Sequence, residues 1–554
     1  MTPESIHPNR RTFLSRAGAA TLAAGVIGVE PLLQTERSIV QAADGSNQRA
    51  NDCAKLRRDA ATAGLKATPQ NLQHPSNQDE NLYANKLGSY SKGLPHNNDG
   101  TVDLTAYAAL VQAINSGRPA DFDAIPLGGS RGLTNPQSGL AFDMQGPDAH
   151  ALVQPPAPAF ASRQQAAEIS ENYWMALLRD VPYSQYSGNP IANAAAADLT
   201  LYGADLGAPT VGGAVTTATL FRGLTPGDRV GPYLSQFFYQ DCNFGANKIE
   251  QKIKTTVPGV NYMTDFNTWL AVQRGIAQGP DAFDAVPRYM RNGRDIGEWV
   301  HIDVLFQAYF QAFLVLAGAG APFDDGNPYN GNPSQIGFGT FGGPHIATLL
   351  CEVSTRALKA VWYQKWFVHR RLRPEVQAER VDRTLFAGAS YPVHPEILAS
   401  FSDNNRLKGF MPAGSALLPM AFPEGSPTHP AYGAGHATVA GACVTILKAW
   451  FKESTRLVDI ALAPVQPADD GLSLVPYGGS DAGDLTVGGE LNKIAANVAL
   501  GRNTAGVHWR SDATESMKLG EQIAIGILKD QRACYNEVFN GFSLTKFDGA
   551  TVTV

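Results

Sequence analysis

Five basic or potentially basic side chains lie within the nine residues from Lys365 to Arg373, and no other feature restricts the fold of this chain as strongly. The segment reads Lys-Trp-Phe-Val-His-Arg-Arg-Leu-Arg and is followed by Pro374, in a chain of 554 residues with a formal net charge of −6. Like charges at this density repel one another unless an anion or acidic groups lie among them. The sequence therefore predicts that something negative binds here.

Two later segments complement this one. His429 to His436 reads His-Pro-Ala-Tyr-Gly-Ala-Gly-His and leads into an apolar helical pattern, and Arg502 to Asp512 reads Arg-Asn-Thr-Ala-Gly-Val-His-Trp-Arg-Ser-Asp. A glycine-rich loop that opens a helix can direct backbone N–H groups at an oxyanion, and the helix dipole adds partial positive charge. Arginine can bind two oxygens of the same anion. His436 and His508 then remain for chemistry.

Together the three segments resemble the pattern shared by the vanadium-dependent haloperoxidases and the related acid phosphatases. That pattern is a lysine, a short gap and Arg-Pro; then Ser-Gly-His; then an arginine, five residues, a histidine and a following aspartate. The seven residues between Lys365 and Arg373 resemble the spacing in algal and cyanobacterial bromoperoxidases. Residues 171–180 and 339–344 also resemble that group, so the similarity covers residues 163–534. The resemblance implies a mainly α fold of helical bundles, two four-helix bundles with a few short strands.

The resemblance also implies a vanadate cofactor and a role for each residue of the pattern. Lys365, Arg373 and Arg502 would neutralise the oxygens of vanadate. The backbone N–H of Gly435 would donate a hydrogen bond to it. His508 would bind vanadium through a neutral ring nitrogen, because only that form offers an electron pair.

His436 is implied as the general acid and base, which takes a proton from incoming hydrogen peroxide. Lys365 would donate a hydrogen bond to the bound peroxide. Asp512 follows His508 by four residues and would share its helical face, so it could accept the other ring N–H and fix the tautomer. The expected substrates are hydrogen peroxide, a halide ion and a small organic acceptor, which a hypohalous-acid equivalent halogenates.

Three further residues bear on halide choice and on cofactor affinity. In the enzymes that this chain resembles, histidine at the position of His429 accompanies bromoperoxidases, whereas the fungal chloroperoxidases have phenylalanine. Trp362 is similar to the tryptophan of the brown-algal and fungal enzymes. The two residues favour bromide and iodide over chloride. Ala434 departs from the pattern, which has serine there, and a missing hydrogen bond to a charged oxygen costs about 1–3 kcal/mol.

Two other functions remain open on these residues. Phosphate shares the shape and charge of vanadate, so an acid phosphatase could use the same cationic pocket, with His508 as nucleophile and His436 as proton donor to the leaving oxygen. The gap between Lys365 and Arg373 argues against it. Alternatively, Ala434 marks an exported protein that binds anions without turnover.

The neighbouring cations His369, Arg370 and Arg371 are interpreted as ion-paired structure rather than as ligands. Asp303 or Glu375 is the expected partner. This interpretation separates the residues that bind the anion from those that support them.

The chain is predicted to have four parts. Residues 1–43 resemble a twin-arginine export signal, with paired arginines before a short Gly/Ala-rich run, which implies a periplasmic or extracellular protein. Residues 44–98 are polar without periodicity, which favours an extended arm or linker. Residues 99–340 and 341–554 are expected to form the two halves of one helical domain, and the second half carries the site.

The expected partners are small molecules and further copies of the chain. No later apolar run is long enough to cross a membrane, and neither a membrane nor nucleic acid is expected to bind the mature form. A homo-oligomer is expected, because the algal enzymes that it resembles assemble. The five cysteines lack CxxC spacing, which argues against a zinc or iron–sulfur site. Asp and Asn in residues 323–335 suit a structural calcium ion, and turn chemistry is the alternative.

Helical patterns dominate the expected secondary structure. Ser162 is expected to cap a helix that ends near Pro182. One long helix is expected from Asp295 through Phe313. Later helices are predicted over residues 346–367, 436–450, 491–500 and 509–528.

Overall fold

The computed structural model describes residues 48–554, so the predicted export signal over residues 1–43 lies outside the described residues. Helices account for most of the regular structure in the described part, which confirms the mainly α prediction. They are α1 Gln48–Ala67, α2 Asp79–Leu82, α3 Leu104–Ser116, α4 Pro119–Asp123, α5 Arg163–Leu177, α6 Pro190–Thr200, α7 Phe266–Gln273, α8 Gly293–Ile302, α9 Gln307–Gly318, α10 Gly343–Tyr363, α11 Pro374–Phe386, α12 Pro395–Ser400, α13 Gly435–Trp450, α14 Val487–Thr504 and α15 Arg510–Cys534.

The short strands form antiparallel pairs only, within the described residues. The pairs are β1 Cys242–Phe244 with β2 Asn247–Ile249, β3 Val465–Pro467 with β4 Leu474–Pro476, and β5 Ser543–Thr545 with β6 Thr551–Thr553. Each strand has three residues, so none of these pairs provides a face on which the helices could pack. The architecture therefore depends on contacts between helices.

The chain divides into two compact units, residues 1–61 and residues 62–554. The described part of the first unit belongs to α1, which buries none of its side chains. The expectation of an extended segment over residues 44–98 is wrong for residues 48–67, because Ala, Leu, Gln, Lys and Arg dominate there and favour helix without tertiary contacts. A Lys55–Asp59 ion pair of 2.6 Å lies along that helix.

Four helices of the second unit, α10, α13, α14 and α15, pack against one another as a bundle. The composition of α13 explains the close approach to α15. A Cβ atom at Gly441 would lie 2.0 Å from the carbonyl oxygen of Met517, and one at Gly520 would lie 2.0 Å from that of Thr438. Glycine is therefore required on both helices where their backbones meet.

Two large apolar cores each draw residues from both of the predicted halves. The first joins Trp299 and Tyr309 to residues of the bundle such as Leu491. The second includes Trp174 and Trp509. Because residues 99–340 and 341–554 share these cores, the bundle is held in place by the N-terminal helices.

The prediction of one helix over Asp295–Phe313 is wrong. Helix α8 ends at Ile302, α9 begins at Gln307, and the two helices are bent by 101°. Asp303 is extended, with φ −64° and ψ 153°, and the side chain of Gln307 accepts a hydrogen bond from the N–H of Val304. The apolar pattern continues across the break, which is why periodicity does not detect it.

No single described helix has the length and apolar composition to span a membrane, and α8 with α9 meets that test only as a bent pair.

Other helix predictions are confirmed. Ser162 accepts from the N–H of Gln165 at 3.1 Å and caps α5. Helix α10 continues as a π-helix over Gln364–His369, which accounts for the pattern over residues 346–367.

The Asp- and Asn-rich loop over residues 323–335 is built from turns. Oxygens of Asp324, Asn327 and Asn332 each accept a hydrogen bond from a backbone N–H two residues later. Asp325 pairs with Lys452 at 2.9 Å. These bonds are those expected of turn chemistry, and calcium in this loop stays a prediction.

Candidate active site

The predicted site residues converge at one end of the four-helix bundle. Lys365 follows the C-terminus of α10, His436 lies in the first turn of α13, Arg502 lies in the last turn of α14, and His508 precedes α15 by two residues. Arg373 immediately precedes α11. The N-termini of α13 and α15 lie at this end together with the C-termini of α10 and α14, so the net positive charge there comes from the cationic side chains.

Lys365 is fully buried. Its Nζ donates to the carbonyl oxygens of Pro430 at 2.8 Å and Ala431 at 3.2 Å. Burial lowers the pKa of Lys365 well below its ordinary value, and the charge of Arg373 lowers it further. An anion in contact with Nζ would reverse both effects, so the lysine is poised to bind negative charge.

Arg373 connects the three predicted segments. Its guanidinium donates to the carbonyl oxygens of His429, at 2.7 Å, and Val507, at 2.6 Å. It also donates to two imidazole nitrogens, Nδ1 of His429 at 2.9 Å and Nε2 of His508 at 3.0 Å. Its burial is complete, and desolvation lowers the pKa of Arg373. The Arg-Pro motif thus sets the geometry of both histidines.

The tautomer of His508 follows from its partners. Since Nε2 accepts from Arg373, the proton lies on Nδ1, which donates to Oδ2 of Asp512 at 2.8 Å. Burial lowers the pKa of His508 well below its ordinary value, and Arg373 and Lys365 add to that effect. His508 is therefore neutral, with an electron pair on Nε2.

Asp512 is held by a second cation behind the site. Arg371 donates to it at 2.7 Å and to the side chains of Gln165 at 2.6 Å and Glu168 at 3.1 Å. The guanidinium of Arg371 lies 4.8 Å from the ring centroid of Trp509. The sequence predicted the role of Asp512 beside His508, and the structure adds the support from helix α5.

Arg502 has an unsatisfied donor. Its Nη1 donates to the carbonyl oxygen of Val300 at 2.6 Å, whereas its buried Nε has no hydrogen-bond partner among residues 48–554. Desolvation lowers the pKa of Arg502 to about 10. Its guanidinium also lies 5.6 Å from the ring centroid of Phe422. A buried N–H without an acceptor is costly, and an anion would supply one.

His436 is the most exposed of the predicted reactive groups, with 18% of its side chain accessible. Its Nε2 lies 2.8 Å from Oδ1 of Asp303, in the break between α8 and α9. The ring therefore donates from Nε2, and Nδ1 is the atom that can accept a proton. Asp303 was expected as a partner for the cations near Arg371, and the structure pairs it with His436 instead.

Ala434 and Gly435 open helix α13. Ala434 occupies the N-cap position, and no side chain caps this helix. The N–H of Ala434 donates to Oγ of Ser516 at 2.8 Å, which holds the loop against α15. A Cβ atom on Gly435 would lie 3.1 Å from the ring of Trp362. The N–H groups of this first turn have no acceptor within the helix and can bind an anion.

The two residues expected to tune halide choice lie side by side, next to Lys365. The rings of His429 and Trp362 lie 4.8 Å apart, and Nζ of Lys365 lies 5.5 Å from the indole. The indole N–H of Trp362 donates to the carbonyl oxygen of Thr134 at 3.0 Å. Burial lowers the pKa of His429 well below its ordinary value, and Lys365 and Arg373 reinforce the shift. His429 is thus neutral.

The remaining cations of the 365–373 segment bind elsewhere. Arg370 pairs with Glu80, and Arg371 pairs with Glu168 and Asp512, so both are ion-paired as expected. Their partners are not those expected, because Glu375 pairs with Lys92 at 3.2 Å.

His369 forms no ion pair with any residue from 48 to 554. Both of its ring nitrogens are buried without hydrogen bonds within the described residues, and desolvation lowers its pKa to about 3. Its ring packs edge-on against Tyr432. The interpretation of His369 as ion-paired structure is therefore wrong, since the neutral ring acts as an apolar side chain.

The donor set fits a tetrahedral oxyanion bound by one imidazole. Three buried cations, Lys365, Arg373 and Arg502, lie around the electron pair of His508, and Arg502 keeps one N–H without an acceptor. None of the three forms an ion pair among the residues that the structure describes. Two components were not predicted, the Asp303–His436 pair and the Ser516 contact. The two residues of the first contact are 133 positions apart in the sequence, and those of the second are 82 apart. A single sequence does not indicate contacts over such separations.

Comparisons with known proteins extend over nearly the whole chain. Residues 353–537 match the family model described as the VCPO second helical-bundle domain. The vanadium-dependent bromoperoxidase of Corallina pilulifera is 37% identical over 570 residues, which covers 88% of this chain and 94% of that protein. The bromoperoxidase of Ascophyllum nodosum is 36% identical over 491 residues, which covers 84% and 87%.

A solved structure shares the fold as well. It is the homohexameric second vanadate-dependent bromoperoxidase of Ascophyllum nodosum, which superposes with a TM-score of 0.83 at 30% identity. The match covers 95% of this chain and 94% of that chain. The likeness thus includes the N-terminal helices as well as the bundle that carries the site.

Proposed function

Since this chain belongs to the family of vanadium-dependent bromoperoxidases, it is a vanadate-dependent haloperoxidase, and we propose that bromide and iodide are its preferred halides. Hydrogen peroxide is the oxidant, and the halide leaves as a hypohalous-acid equivalent that halogenates an organic acceptor. One observation carries the assignment of the site. Arg373 binds the two imidazoles of His429 and His508 among buried cations that have no carboxylate partner within residues 48–554.

The residues that would hold vanadate are the buried cations whose charges act on His508. Lys365, Arg373 and Arg502 would neutralise its oxygens, and the N–H of Gly435 would donate from the start of α13. His508 would bind vanadium through Nε2, and its proton stays on Nδ1 because Asp512 accepts it. When bound, vanadate supplies an oxidised Lewis acid that activates hydrogen peroxide toward halide.

His436 is proposed as the general base. Asp303 holds the ring by accepting from Nε2, so Nδ1 can take a proton from hydrogen peroxide. The carboxylate stabilises the imidazolium that results, as a carboxylate does for histidine in other acid–base pairs. Lys365 would donate a hydrogen bond to hydrogen peroxide at the site.

The surroundings of His429 support the proposed halide preference. The neutral imidazole and the indole of Trp362 form one polarisable wall of the pocket. Initial rates with bromide, iodide and chloride at equal concentration test the preference. Chloride turnover as fast as bromide turnover would contradict it.

The phosphatase and anion-binding alternatives are not favoured. The relatives that cover most of this chain are bromoperoxidases, including the protein of solved structure. Both histidines and all three cations of the pattern are present and assembled, which a site without turnover would not require. Ala434 remains the one departure from the pattern.

The deciding experiment is halogenation of a dye by phosphate-free protein with hydrogen peroxide and bromide, with and without orthovanadate. Bromination should require vanadate, be suppressed by phosphate and be lost in His508→Ala. The control His394→Ala changes a histidine that caps the short helix α12 and should keep full activity. Hydrolysis of a phosphomonoester without bromination would instead support the phosphatase alternative.

Two wider features belong to this proposal. We propose export by the twin-arginine route, on the strength of the paired arginines near the N-terminus, and a homo-oligomeric assembly, since the related bromoperoxidase is a homohexamer. N-terminal sequencing of protein recovered from outside the cytoplasm tests the first. Light scattering of the purified chain tests the second, and a monomer would contradict it.

A further inference from the structure

A second cluster of potential metal ligands lies near the active site but outside it. Glu298 and His301 occupy successive turns of α8, and Asp281 approaches from the preceding loop. One ligand atom from each residue lies within 4.8 Å of the others. Nδ1 of His301 is 3.5 Å from Oε2 of Glu298 and 3.7 Å from Oδ2 of Asp281.

Glu298 is the unusual member of this cluster. Its side chain is 1% exposed, and neither carboxylate oxygen accepts a hydrogen bond from any described residue. Oδ1 of Asp281 and Nδ1 of His301 are likewise buried without partners in the described part of the chain. No lysine or arginine there forms an ion pair with Asp281 or Glu298. A buried carboxylate without donors is strongly destabilising unless a cation reaches it.

His301 is oriented as a ligating histidine would be. Its Nε2 lies 2.9 Å from Oε1 of Glu424, and its ring stacks on Phe422 with centroids 3.7 Å apart. A carboxylate that accepts from one ring nitrogen places the electron pair on the other. In His301 the other nitrogen is Nδ1, which faces Glu298 and Asp281.

The distances suit a common ion. Two ligand atoms, each about 2.1 Å from a tetrahedral metal, are about 3.4 Å apart. The 3.5 Å and 3.7 Å separations around Nδ1 are close to that value and too long for good hydrogen bonds. Asp281 and His301 keep 13% and 15% of their side chains accessible, which leaves a path for entry.

We propose that Asp281, Glu298 and His301 bind a divalent transition-metal ion, with Zn²⁺ and Mn²⁺ the ions suited to one imidazole and two carboxylates. Mixed nitrogen and carboxylate ligands select such ions over Ca²⁺ or Mg²⁺, which prefer oxygen alone. This site is separate from the vanadate pocket, because its acidic groups would repel an oxyanion. His301 precedes Asp303 by two residues, so the ion would fix the end of α8 that presents Asp303 to His436.

A proton is the competing occupant of Nδ1. Burial disfavours the imidazolium, but the hydrogen bond to Glu424 and the negative charges of Glu424 and Glu298 outweigh it and raise the pKa of His301 to about 9. A doubly protonated ring would neutralise only part of the charge of three carboxylates. The metal ion would displace this proton and satisfy Glu298 and Asp281 together.

The test uses untagged, vanadate-free full chain that has been stripped with a chelator and dialysed against micromolar Zn²⁺ or Mn²⁺. Elemental analysis should find one ion per chain. Glu298→Gln, which keeps the side-chain volume, should lower the bound ion by about tenfold or more, and so should Asp281→Asn in the loop. Glu379→Gln is the matched control, because Glu379 is also buried with an unpartnered oxygen but has no histidine in its ion pair.

Three results would overturn the proposal. The first is wild-type protein that retains less than about a tenth of an equivalent of the metal ion. The second is as much bound ion in Glu298→Gln and Asp281→Asn as in the wild type. The third is a nitrogen NMR signal showing His301 doubly protonated in protein dialysed with the metal. Vanadate binding measured on the same samples shows that each variant is folded, so that loss of the ion is not mistaken for unfolding.

Discussion

Asp303 accepts a hydrogen bond from Nε2 of His436 over 2.8 Å, although 133 residues separate them. The aspartate is 3% exposed and lies in the break between α8 and α9. The pair therefore joins an N-terminal helix to the first turn of α13. A change at Asp303 should alter proton transfer at His436 without removing any group that holds vanadate.

Asp303→Ala is expected to lower the kcat for bromination by about 100-fold, because His436 loses the acceptor that fixes its tautomer. The vanadate Kd should not rise, since no group that holds vanadate is lost and removing a carboxylate that acts on Arg502 makes the pocket more positive. Steady-state kinetics with a vanadate titration separate the two effects. Asp325→Ala, at an exposed ion pair with Lys452, is the control. Equal losses in kcat and in affinity would contradict the assignment.

Asp512→Asn should weaken vanadate binding by about 10- to 100-fold, because His508 loses the carboxylate that holds its Nδ1 proton. The same change leaves Arg371 with Glu168 as its one charged partner, so the free energy of unfolding should fall by about 3 kcal/mol. Urea unfolding and vanadate titration measure the two quantities. Glu515→Gln, one turn further along α15 and paired with Lys518, should change neither. A loss of stability with an unchanged Kd would show that Asp512 acts only on the fold.

Ala434→Ser restores the residue that the family usually has at the N-cap of α13. The hydroxyl can donate to a vanadate oxygen, and one such hydrogen bond to a charged group is worth about 1 kcal/mol or more. The vanadate Kd should therefore fall by about fivefold to tenfold. Ala442→Ser, two turns into the same helix, is the control for adding a hydroxyl. An unchanged Kd would mean that Ala434 has no bearing on cofactor affinity.

The site residues within each motif could be predicted from the sequence, because their spacing along the chain fixes their relative positions. Lys365 and Arg373 lie where one helix ends and the next begins, and the glycines before His436 permit a tight entry into α13. Asp512 was found by its four-residue spacing from His508. These features depend on neighbours in the chain, which a single sequence displays.

The contacts that hold the site residues in place could not be predicted from the sequence, because they join segments that are far apart in the chain. Glu168 on α5 reaches Arg371 and Ser511, and a continuous apolar pattern hid the break that exposes Asp303. Hydrophobic periodicity reports which face of a helix is buried but not where the axis turns. Helix α1 was missed for the opposite reason, since it has no buried face to produce a pattern.

His96 is expected to make the stability of the whole protein depend on pH in the acid range. Its buried ring accepts from the hydroxyl of Ser91 at Nε2 and donates to the carbonyl oxygen of Leu94 from Nδ1, so the neutral form is fully bonded. Desolvation lowers its pKa from 6.5 to about 4, and the charges of Arg380 and Arg274 add to the shift.

In the unfolded chain, His96 therefore binds a proton below pH 6.5, whereas in the folded chain it binds one only below about pH 4. The contribution of His96 is fully present above pH 6.5 and is lost as the pH falls toward 4, which amounts to about 3 kcal/mol. His96→Asn should flatten the fall in the free energy of unfolding between these pH values. An identical pH profile for wild type and His96→Asn in urea unfolding would show that another group carries the dependence.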